Sequence, residues 1–124
     1  YQRKVMNSPT QALASAITEK FILASPQAAA NALETLATHE VLQLIAPLKA
    51  QTLVACLNPM SAAKAAAVLR RLPIRQASYI LTHLEVVHAA HIMEAFSAPY
   101  RERISAVLEP SFLQLLQNYI KHQF

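Results

Sequence analysis

The chain has 124 residues, with eleven Lys and Arg against seven Glu, no Asp, no Gly and one Cys, giving a formal net charge of +4 and a pI near 9.5. Without Gly no backbone can curl closely around a phosphate or pass through a strained elbow, which excludes Walker, Rossmann and nucleophile-elbow chemistry; without Asp as well, an EF-hand loop cannot be written. Apolar residues make up 54% and Ala alone fills 23 positions, so the composition predicts an all-α protein, long enough for one domain with a real core.

In chain order, residues 1–25 read as an N-terminal extension and first helix, the helix spanning 9–24 behind Ser8 and Pro9. Further helices are predicted over 26–37, 39–46, 49–57, 59–72, 73–84, 86–96, 99–108 and 110–121. Ser8, Ser25 and Asn58 each precede a Pro, the combination of N-cap and first helical residue, and all seven prolines fall at predicted boundaries.

From the middle of the chain onward the pattern counts in twelves. Leu72, Leu84, Phe96, Leu108 and Ile120 are spaced by 12; four residues before each stand Val68, Ile80, Ile92, Ile104 and Leu116, and seven before stand Ala65, Ala77, Ala89, Arg101 and Leu113. These columns make an i, i+3, i+7 stripe on one helix face. Leu36 and Leu48 keep the spacing upstream, with Leu57 offset. Twelve residues hold a helix of about nine or ten and a short turn, and helices so short are marginal alone, so each must bury its stripe against neighbours. The expected architecture is a superhelix, an α-solenoid, of about eight or nine such helices.

Catalytic and metal-binding signals are thin. His88 and His91 lie three apart on one helix, with His83 upstream and Glu94 downstream, but none sits in an apolar column, so they read as flank positions. No nucleophile stands beside a base at a diagnostic spacing, and the chain is read as non-enzymatic. Cys56, inside LVACL, reads as a buried inert thiol, and the lack of any disulfide framework suits a reducing cytosol. Lys64, Arg70, Arg71 and Arg75 cluster within twelve residues and suggest a surface for an acidic partner; with no aromatic between them, protein is favoured over nucleic acid. No stretch approaches the roughly 18 apolar residues of a membrane span. With the start YQRK, without Met, the chain is read as an excerpt of a longer protein.

The segment LNPMSAAKAAAVLRRLP, residues 57–73, resembles the L-x-P-x-x-A-A-x-x-x-V-L-x-x-L-P unit of the cytosolic N-terminal domain of MgtE-type magnesium transporters. LPIRQASYILTHL and LEVVHAAHIMEAF look like its continuation, and APYRERISAVLEPSFLQLLQNYI is similar to the family's closing helices, so the resemblance covers residues 26–121 of a single 1–124 domain. It implies a right-handed superhelix in the cytoplasm, a non-catalytic regulatory domain that docks on paired CBS domains of the same chain or of a second subunit. It also implies Mg²⁺ held by carboxylates at that interface, a ligand-biased conformational switch that gates ion transport. The carboxylates placed to approach such an interface are Glu34, Glu40 and Glu94, alongside Glu85 and Glu102, whereas family members are strongly acidic and this chain is basic; Mg²⁺ affinity is accordingly expected to be low. The middle region of FliG-type flagellar motor switch proteins carries nearly the same phrase. The alternatives are therefore a helical scaffold that stacks on copies of itself and a nucleic-acid-binding solenoid.

Overall fold

A computed structural model describes residues 18–123. Residues 18–24 are helical (α1), followed by α2 (Pro26–Glu34), α3 (Thr38–Ile45), α4 (Ala50–Leu57), α5 (Ala62–Arg70), α6 (Ile74–His83), α7 (Val86–Ala95), α8 (Ala98–Ser105) and α9 (Pro110–Gln123). No strand occurs among the described residues. The sequence-predicted first helix lies only in part within them, and the Ser8–Pro9 cap lies outside.

The packing explains the count in twelves. Each helix stacks on the next but one: α2 on α4, α4 on α6, α6 on α8, and in a second column α3 on α5, α5 on α7, α7 on α9. Twelve residues are thus half of the stacking unit, and the architecture is an α-solenoid. The apolar columns are its core: Val68, Ile80, Ile92, Ile104 and Leu116 are fully buried, as are Ala65, Ala77 and Ala89, and Leu72, Leu84, Phe96 and Leu108 are buried as well. A second set, Leu69, Leu81 and Met93, with Ala66, Ser78 and Ala90, is buried beside the first. A helix with a neighbour on each side in its column needs a wider stripe than a surface helix, and α5, α6 and α7 supply it. In α8 only Tyr100 and Ile104 are buried, a one-sided helix.

Helix ends follow from the absence of glycine. Among the described residues none has positive φ, so the left-handed glycine cap that closes many helices is not used. The C-caps of α2, α3, α4 and α5 (Thr35, Ala46, Asn58 and Arg71) stay right-handed, and those of α6 and α7 (Leu84 and Phe96) are extended. Carbonyls left over at these ends must find donors elsewhere.

Two of the predicted Pro-led helix starts differ in detail from the sequence-based expectation. Asn58 and Pro59 do not open a helix: Asn58 is the C-cap of α4, and the N-cap of α5 is Ser61, whose Oγ accepts from the Lys64 N–H at 3.3 Å. The predicted 59–72 helix therefore starts three residues late. Ser25 does precede α2 with Pro26 as its first residue, but makes no side-chain cap.

Candidate interaction edge

The connections α2–α3, α4–α5 and α6–α7 are bound to one another by polar side chains that reach from one stacking unit to the next. Glu34, at the end of α2, accepts from the Ser61 N–H (2.5 Å) and Ser61 Oγ (3.1 Å). Asn58 Oδ1 accepts from the Glu85 N–H at 3.2 Å, one unit further on. Running the other way, Lys64 Nζ donates to the Leu36 carbonyl, and His88 Nε2 bonds the Leu57 carbonyl at 3.0 Å, which requires the proton on that nitrogen. These donors meet the carbonyls that a glycine-free chain leaves exposed at the ends of α2 and α4. Together they define the first edge of the solenoid.

The second edge lies at the other ends of the same helices. α5 leaves the first edge at Ser61 and reaches Arg70 nine residues later, about 13 Å away at 1.5 Å per residue. Here the α5–α6 and α7–α8 turns meet: Tyr100 Oη donates to the Leu69 carbonyl at 3.5 Å, and Arg70 faces Ala95, Phe96 and Ser97 across a cavity of about 320 Å³ floored by Ala63, Ala66 and Ala67. The Arg103 guanidinium lies 5.6 Å from the Tyr100 ring centroid, and the Tyr100 and Phe96 rings meet edge to face at 4.7 Å. Burial raises the Tyr100 pKa, and the positive charges of Arg103 and Arg70 pull it partly back.

The four cations read as one cluster are therefore two groups. Lys64 belongs to the first edge as a half-buried cap on Leu36, not a free contact for a partner. Arg70, Arg71 and Arg75 are exposed on the second edge and, among the described residues, make no hydrogen bond or ion pair. Arg70 and Arg71 sit favourably at the negative end of the α5 dipole, whereas Arg75, in the first turn of α6, opposes the dipole of its own helix. Arg101, where the apolar column breaks, folds back on α7: Nε donates to the Met93 carbonyl (2.9 Å), and Nη2 to those of Phe96 (2.8 Å) and Glu94 (3.4 Å). Sequence reasoning missed this cap, although a lone Arg in an Ala column was its signal.

The candidate metal ligands are divided in the same way. Glu34 is bound to Ser61, and Glu40 caps the start of α3 by accepting from the Ala37 N–H at 2.9 Å. Glu94 is exposed near the far end of α7, across the solenoid. Among the described residues no group of three or more His, Cys or acidic side chains is arranged to hold a metal. His83 stacks on Tyr79 at 4.2 Å and bonds that residue's carbonyl, while His88 is held by Leu57.

Cys56 is fully buried in α4 and burial pushes its thiol up to about 11. Its folded pKa lies above the ordinary thiol value of 9.0, so the unfolded chain loses this proton first, and the thiol's contribution to stability is complete below pH 9 and falls between about 9 and 11. Iodoacetamide at pH 8 should leave native Cys56 intact and modify it promptly in urea; rapid labelling of the native chain would refute the buried, inert assignment.

The structure thus defines a class: an α-solenoid of short stacked helices with one hydrogen-bonded edge and one arginine-lined edge. The sequence model of the MgtE intracellular N domain matches residues 16–100, more than half of the chain, and the chain belongs to that family. No curated protein and no solved structure matches it. No helix among the described residues is long and apolar enough to cross a membrane.

Proposed function

We propose that this chain is a non-catalytic regulatory domain of an MgtE-type magnesium transporter, working in the cytoplasm by docking through its arginine edge onto a neighbouring CBS domain, of its own chain or of a second subunit. The observation that carries this reading is the contrast between the two kinds of charge. Four of the seven carboxylates, those of Glu19, Glu34, Glu40 and Glu109, accept hydrogen bonds within the chain, whereas Arg70, Arg71 and Arg75 are exposed and make no hydrogen bond or ion pair among the described residues. A cation-bridged contact needs several free oxygens converging on the ion. An arginine edge needs only carboxylates on the partner, and salt bridges would then hold the docked state where other members of the family would use an ion.

Binding of the chain to the CBS pair of an MgtE-type transporter, followed calorimetrically, tests the reading. The triple reversal R70E/R71E/R75E should weaken binding about tenfold or more, since exposed ion pairs contribute about 0.2–1 kcal/mol each. Unchanged affinity would contradict it. The fold should survive, because all three side chains are exposed and the favourable charge of Arg75→Glu at the start of α6 partly offsets the unfavourable ones of Arg70→Glu and Arg71→Glu at the end of α5.

A further inference from the structure

We infer that the cavity between α5 and the α7–α8 turn is a docking groove for an acidic amphipathic segment, one aliphatic side chain of which enters the cavity while its flanking carboxylates pair with Arg70, Arg71 and Arg75. The inference rests on the docking function proposed above and specifies its ligand. Ala63, Ala66, Ala67 and Ala95 line the cavity with Phe96, Arg70 and Ser97. Alanine presents apolar surface without bulk, so a partner's backbone can approach closely, and about 320 Å³ has room for one or two side chains rather than a whole helix. That is the geometry of a single anchor position in helix-in-groove recognition. Interface anchors of this kind sit in a small desolvated pocket with charged pairs around the rim.

The charge of the occupant follows from the rim. Arg70 closes one end of the cavity, Arg71 is the next residue, and Arg75 follows in the first turn of α6. Arg103 reaches the same corner, over Tyr100. No acidic side chain lines the cavity. The N-termini of α6 and α8 and the C-termini of α5 and α7 all end on this edge, so the helix dipoles oppose one another and the arginines set its charge. A second copy of the chain is a poor source of carboxylates: all seven acidic residues are Glu, four already accept hydrogen bonds within the fold, and residues 1–17 contain none. Nucleic acid fits less well because the trough between the cations is apolar. The aromatic side chains beside it, Phe96 and Tyr100, are buried and unable to stack on bases.

The test is selection of a phage-displayed library of random 14-residue peptides against the 124-residue chain, followed by fluorescence anisotropy of the winners on four proteins: the parent, R70E, A63W and R75E. Ala63 and the two arginines are exposed, so the variants should fold as the parent does, with the melting midpoint slightly lower in R70E and slightly higher in R75E, as the α5 and α6 dipoles require. The expected winners carry Glu or Asp around a Leu, Ile or Met, bind at low salt, and lose tenfold or more in affinity to R70E and to A63W, which fills the groove. Acidic winners indifferent to both substitutions would overturn the groove while leaving docking through another part of the arginine edge standing, to be seen as a loss on R75E alone. Basic or uncharged winners, or none, would overturn the groove and the arginine edge together. A fluorescein-labelled oligothymidylate binding more tightly than the best peptide would assign the edge to nucleic acid instead.

Discussion

Replacing Ile80 by Ala should destabilise the chain by about 2–5 kcal/mol, the range for truncating a fully buried aliphatic side chain that cannot be repacked. Ile80 belongs to the apolar column, is completely buried, and lies on α6, which contacts α4, α5 and α8. Relaxation around the deleted atoms would have to move several helices at once. Against a total stability of about 5–15 kcal/mol, this is a large fraction, and the melting midpoint should fall by on the order of 10 °C. Val87, 47% exposed on the next helix, provides the control: Val87→Ala should change stability by no more than about 0.5 kcal/mol. Comparable losses in the two variants, measured by urea denaturation, would contradict the assignment of the columns to the core.

Ala89→Leu should be harmful for the opposite reason. α5 and α7 are in contact and carry Ala65, Ala66, Ala89 and Ala90, all buried. Small side chains on both members let the two axes approach closely, and a Leu at a position with no exposure must push them apart or take an unfavourable rotamer. Overpacking of this kind costs about 1–3 kcal/mol. Because α5 and α7 also set the walls of the cavity at the arginine edge, the same substitution should weaken docking as well as stability. A variant as stable as the parent would show that the two helices are not closely packed.

The core was largely legible from spacing because burial in a solenoid repeats with the chain. The columns at Val68, Ile80 and Ile92 and at Ala65, Ala77 and Ala89 were readable without coordinates, and all six residues are fully buried. Their partners Leu69, Leu81 and Met93 were equally regular but went unassigned, since a single stripe suffices for a helix packed on one side and these helices are packed on two. Polar positions were legible only where the partner is local. Glu40, three residues from Ala37, follows the spacing of a capping-box acceptor. Lys64 with Leu36, Glu34 with Ser61 and His88 with Leu57 are separated by 28, 27 and 31 residues, and nothing in a local pattern announces bonds that depend on which helices stack. For the same reason sequence proximity places Lys64 with arginines from which the length of α5 separates it, and residue type alone joins Glu34, Glu40 and Glu94, which the fold divides between two edges.

The central claim is that Glu34 and Glu40 serve the internal structure of this domain and that its working surface is cationic. Thermal unfolding of the chain over a magnesium titration into the tens of millimolar, with calcium and sodium controls at matched ionic strength, tests it most directly. A ligand that binds only the native state raises stability by RT ln(1 + [L]/Kd), so a specific site cannot hide from this measurement once the ion exceeds its dissociation constant. The account predicts melting curves that depend on ionic strength alone, the same for all three salts. A magnesium-selective rise, abolished by Glu34→Gln or Glu40→Gln, would contradict it and return those carboxylates to the role of ion ligands.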